Sequence, residues 1–108
     1  MPNYTYSISE MQEIINSHEF CLVDFWATWC QPCKHLNEIL SELLPEFPMF
    51  HLMKIDISEN IDLAQEYKIR SVPTILLFKN GILQQTILGM KKKDILQKIF
   101  SEITNKDS

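Results

Sequence analysis

Phe25-Trp26-Ala27-Thr28-Trp29-Cys30-Gln31-Pro32-Cys33-Lys34 is the stretch on which the reading of this chain turns. The apolar run from Cys21 to Ala27 reads as a fully buried strand, and from Cys33 onward apolar residues recur with helical spacing. The Cys-x-x-Cys motif therefore sits where a strand ends and a helix begins. A helix start presents unpaired N–H groups and the positive end of its dipole, and both favour a thiolate over a thiol. Cys30 is accordingly the expected nucleophile. Pro32 suits a first helical turn, where proline forfeits no hydrogen bond and arrives with φ already set. Cys33 is expected to lie deeper, facing Cys30 within disulfide range.

Working outward, Leu36, Ile39, Leu40, Leu43 and Leu44 give the second helix one apolar face, and Pro45 and Pro48 close it. Upstream, Ser9 with Gln12 reads as a capping box for a short helix to about Asn16 that buries Met11, Ile14 and Ile15, preceded by a short edge strand at Tyr4 to Ser7. Downstream, Phe50 to Ile57 reads as a second buried parallel strand. Ser58 or Asn60 then caps a short helix carrying Ile61, Leu63, Ala64 and Tyr67. Thr74 to Phe78 is a third strand, and Asn80-Gly81 predicts a hairpin into Leu83–Leu88. A last helix from Lys92 to Ile103 is expected to bury Ile95, Leu96, Ile99, Phe100 and Ile103. Strands alternating with helices, then a hairpin and a helix, predict an α/β fold: a central mixed sheet flanked by helices on both faces.

At 108 residues the chain is expected to be one domain, 1–108, large enough to bury its own core. Three cysteines do not make a disulfide scaffold. Met1 to Tyr6 shows neither the basic region nor the apolar run of a signal peptide, and no segment reaches membrane-spanning length, so a cytoplasmic protein with no membrane partner is expected. A net charge of −4 without a basic stripe argues against nucleic acid.

Cys30 and Cys33 could be half of a zinc site, but zinc wants about four ligands. The remaining candidates, Cys21, His18, His35 and His51, supply no second Cys-x-x-Cys and no His-x-x-x-His. No metal is expected. Asp24 stands in an otherwise apolar strand, where a carboxylate costs several kcal/mol of desolvation unless paired or protonated. It is either a structural hydrogen-bond acceptor or a buried acid with a raised pKa that moves a proton for Cys33.

The Trp29-Cys30-Gln31-Pro32-Cys33 centre, with Asp24 before it and Val72-Pro73-Thr74 and Gly89 after it, resembles the thioredoxin family over nearly the whole chain. The resemblance implies the thioredoxin fold, with the first two helices on one side of the sheet and the last two on the other. It implies a protein disulfide reductase acting by thiol–disulfide exchange, with no cofactor beyond the reversible Cys30–Cys33 disulfide. It makes Asp24 the proton relay and Lys54 its partner. It also implies a cis-proline at Pro73 that packs against the cysteines and leaves the Val72 backbone free to pair with substrate. Gly89 would give a substrate backbone room, while Trp29, Pro32, Val72, Pro73 and Met90 would form an apolar docking rim. The implied partners are an NADPH-dependent thioredoxin reductase and disulfide-containing proteins, the chain itself being a monomer. Gln31 departs from the family's usual glycine, which bears on redox potential and partner preference. Two alternatives follow: a specialised thioredoxin-like protein with a shifted potential and a dedicated partner, and a non-catalytic binding module using the same rim.

Overall fold

In a computed structural model that describes residues 5–105, four strands form one sheet in the order β2-β1-β3-β4. The strands are β1 (Phe20–Trp26), β2 (Phe50–Asp56), β3 (Thr74–Lys79) and β4 (Ile82–Leu88); the helices are α1 (Ile8–Asn16), α2 (Gln31–Leu43), α3 (Ile61–Glu66) and α4 (Lys93–Thr104). β1 runs parallel to β2 and antiparallel to β3, and β3 pairs antiparallel with β4. The sheet is therefore mixed, as its alternation with helices predicts.

β1 is the pivot because both its faces are covered. Cys21, Val23 and Phe25 point into one apolar cluster with Met11 and Ile15 of α1 and Leu63 of α3. Leu22 points into a second cluster with Leu36, Leu40 and Leu43 of α2 and Leu96 and Phe100 of α4. The helices thus divide as α1 with α3 against α2 with α4, not the first two against the last two. The chain leaves β1 through α2 in one direction and comes back across it through α3 in the other, so the two connections lie on opposite faces.

Several local expectations shift for physical reasons. The capping box is Ser7 with Glu10, not Ser9 with Gln12: Ser7 Oγ accepts the Glu10 N–H at 3.0 Å, and Glu10 Oε1 accepts the Ser7 N–H at 2.7 Å. Tyr4 of the expected edge strand lies outside the described residues, and Thr5–Ser7 form no strand; the Tyr6 N–H instead donates to Asn60 Oδ1 at 2.9 Å. Asn60 is the N-cap residue of α3, yet its side chain makes no capping bond, because it serves Tyr6. Ile61 and Ile95 are exposed, since each stands in the first turn of its helix, beyond what the sheet covers. Asn80 and Gly81 turn the hairpin with φ of 52° and 81°, the left-handed pair that an Asn-Gly turn supplies.

Candidate active site

β1 ends at Trp26 and α2 begins at Gln31, so Ala27–Cys30 is a tight link whose Cys30 N–H donates to Ala27 O at 3.2 Å. Cys30 is the N-cap of α2, and its Sγ accepts the Cys33 N–H at 3.1 Å, the place a serine or aspartate oxygen would take. Pro32 follows within the first turn, where its missing N–H would have had no partner. Cys30 and Cys33 are bridged by a disulfide with their Cα atoms 5.3 Å apart. Their depths are alike: 3% of Cys30 and 5% of Cys33 is exposed, so Cys33 is not the deeper of the two. What separates them is the helix terminus, which places a backbone donor on Cys30 Sγ and would hold negative charge there in the reduced form.

Trp29, immediately before the pair, is 71% exposed, whereas Trp26 is half-buried and packs, as Val72 does, against the cluster of Ala27, Cys30 and Cys33. The Val72–Pro73 peptide is cis. The Gly89 N–H donates to Pro73 O at 2.9 Å, which ties the end of β4 to the proline loop. Gly89 has φ of +78° and nothing within 4 Å of where a Cβ would stand, so its side faces open space. Gln31, Pro32, Val72, Pro73, Gly89 and Met90 line one groove of about 460 Å³ beside the disulfide, and His35 joins them. His35 reads from the sequence as a solvated helix residue. Its place four residues after Gln31, one helical turn on, is the signal that could have found it.

Behind the pair is a second cavity of about 370 Å³, lined by Asp24, Trp26, Cys33, Asn37, Glu38 and Lys54 among others. Asp24 shares the α2 side of β1 with Leu22, as the alternation of a strand requires. It is 3% exposed, and its Oδ1 has no hydrogen-bond partner among the described residues. Burial pushes its carboxyl up to about 6, against the pull of the Lys54 ammonium. Lys54 lies directly opposite Asp24 in the β1–β2 register, yet its ammonium donates to Asn37 Oδ1 of α2 and forms no ion pair with Asp24. Asn37 was not a sequence candidate. Its spacing of four residues from Cys33 puts it on the same face of α2, which is the clue the sequence held.

Cys21, the third cysteine, is fully buried in the cluster under α1, and burial pushes its thiol up to about 11. It is an apolar filler away from the pair. Among the described residues no group of three or more His, Cys, Asp or Glu side chains could hold a metal ion.

Residues 4–102 match the Thioredoxin family model. The chain is 42% identical over 97 residues to the thioredoxin of Rickettsia felis, spanning 89% of this chain and 92% of that one. It is also 42% identical over 80 residues to thioredoxin-2 of Pyricularia oryzae, spanning 74% of this chain but only 47% of that longer protein. In three dimensions it is similar to oxidized mitochondrial thioredoxin 3 of Saccharomyces cerevisiae, with a TM-score of 0.82 and 30% identity over 93% of this chain and 94% of that one. The bridged pair at a helix start on this fold disfavours the reading as a binding module with incidental thiols. By its sequence, its fold and its Cys30–Cys33 dithiol, the chain belongs to the thioredoxin family of protein-disulfide oxidoreductases.

Proposed function

We propose that the chain carries electrons from an NADPH-dependent thioredoxin reductase to disulfides in partner proteins, in the cytoplasm, as a monomer with no resident cofactor beyond its own Cys30–Cys33 disulfide. The observation that carries this reading is Cys30 Sγ held as the acceptor of a helix N-terminal N–H while bonded to Cys33. In the reduced form the Cys30 thiolate attacks one sulfur of a partner disulfide, and the other partner sulfur leaves as a thiolate that takes up a proton. Asp24 accepts the proton of Cys33 through the cavity they share. With a carboxyl near 6 it is mostly ionised at neutral pH, yet close enough to the working pH to give the proton back. The Cys33 thiolate then attacks Cys30 Sγ and the second partner sulfur leaves. Two electrons have passed to the partner, and the Cys30–Cys33 bond has formed. The reductase returns two electrons and reopens it.

The groove of Gln31, Pro32, Val72, Pro73, Gly89 and Met90 receives the extended partner segment, with the Val72 backbone pairing to it and exposed Trp29 covering it from the other side of the pair. Lys54, steadied by Asn37, keeps positive charge at the mouth of the Asp24 cavity. Reduction of insulin disulfides, coupled either to a thioredoxin reductase with NADPH or to a glutathione-linked system, tests the proposal. Efficient turnover with the flavoenzyme alone is expected. Turnover with glutathione alone, or full activity in Cys30→Ser, would overturn it.

A further inference from the structure

The Val72–Pro73 loop has a second groove on its far side. About 350 Å³ in volume, it is bordered by Lys68, Arg70 and Ser71 of the chain entering β3 and by Leu83, Thr86 and Leu88 of β4. β4 is the last strand of the sheet among the described residues, and most of its side chains are exposed, Leu83 by 48% and Leu88 by 60%. Its lining residues Ser71 and Leu88 are chain neighbours of Val72 and Gly89, which line the groove beside the disulfide.

Its charge is the opposite of the chain's. Residues 67–93, which build both grooves apart from the α2 side, hold six of the ten basic residues and none of the fourteen carboxylates, in a chain of net charge −4. The carboxylates that flank this segment are Glu66, at the end of α3, and Asp94, in the first turn of α4; neither lines the groove. Lys68 and Arg70 are exposed and have no ion-pair partner among the described residues; the one ion pair found there, Lys93 with Glu42 at 3.4 Å, is elsewhere. Read along the chain these cations look dispersed, whereas the fold sets two of them at one groove with two exposed leucines, next in the chain to the Val72–Pro73 loop.

We infer that this second groove docks an acidic segment of the protein whose disulfide is being reduced, an inference that rests on the reductase reading above. The Lys68 and Arg70 cations meet the segment's carboxylates, and Leu83 and Leu88 cover its apolar side chains. Opposite charges at such a rim raise the encounter rate and select the partner more than they add to raw affinity.

Three cyclic disulfide peptides of equal length, flanked by Glu, Ser or Lys, test this in single turnovers with pre-reduced protein, the observed rate being followed against peptide concentration. For the wild type, half-saturation is expected at the lowest concentration with the Glu peptide, despite the net negative charge of the protein. In the Lys68→Glu/Arg70→Glu double variant the half-saturating concentration for the Glu peptide should rise about tenfold, with the limiting rate and the Ser peptide unchanged. The contrast should collapse in about 0.5 M salt. Lys68→Gln/Arg70→Gln, which removes both cations and introduces no opposite charge, should fall between. An unchanged Glu peptide, or an equal loss on all three peptides, overturns the docking site. A wild type that fails to reduce even the Ser peptide overturns the reductase reading and this inference with it.

Discussion

Replacing Asp24 with asparagine is expected to stabilise the oxidised protein at neutral pH, and the gain should disappear in acid. The folded carboxyl is raised from 3.8 to about 6, because an almost fully buried group with an unpartnered Oδ1 ionises reluctantly. Between those values the folded state binds the proton that the unfolded state has released, so stability falls as pH rises from about 4 to about 6 and stays reduced above that. At about 1.4 kcal/mol per pH unit the ionised carboxylate costs about 3 kcal/mol at pH 8. Asparagine is never ionised and escapes that cost, but its amide inherits an incompletely bonded place worth about 1 kcal/mol. A net gain of about 2 kcal/mol at pH 8 follows, on the order of 10 °C in Tm for a chain of this size. Urea unfolding of both oxidised proteins at pH 4 and pH 8 measures it. An equal difference at the two pH values, or a less stable variant at pH 8, would refute the claim that Asp24 carries an uncompensated buried charge.

Three further outcomes follow from the geometry. In reduced protein, alkylation of Cys30 should titrate near neutral pH, below the ~8.5 of a free thiol, while Cys21 stays unreactive until the protein unfolds; iodoacetamide labelling read by peptide mass checks both. Leu36→Ala, which empties a fully buried site between α2 and the sheet, should cost about 2–5 kcal/mol in urea unfolding. Gly81→Ala should cost about 1–2 kcal/mol, since φ of +81° strains any residue with a Cβ and the new methyl would also displace the Asn16 side chain.

The dithiol and its surroundings were legible because their signals are local: a strand that stops, a cysteine at a helix cap, a proline in the first turn, an Asn-Gly hairpin. The misreadings came where a local pattern was satisfied twice or where a distant element decided. Ser7 with Glu10 and Ser9 with Gln12 both fit a capping box, and local pattern alone does not separate them. Ile61 and Ile95 fit their helical stripes but stand in first turns that no neighbour covers. The Lys54–Asn37 bond joins residues 17 apart, so neither reveals the other in the sequence. The pairing of helices across the sheet depends on strand order, which periodicity does not encode.

The alternation of β1 also makes the site a matter of parity. Odd-numbered positions supply the packing under α1 and α3, and even-numbered Asp24 faces the cavity behind Cys33. Deleting Val23 would move every residue of the strand upstream of it to the opposite face while the dithiol stayed where it is, driving Cys21 toward α2 and Leu22 toward α1. Deleting one residue in the turn before Phe20 would alter only a loop. The protein's electron-carrying chemistry therefore depends on an even–odd count within seven residues, and length changes there are expected to be far less tolerated than substitutions.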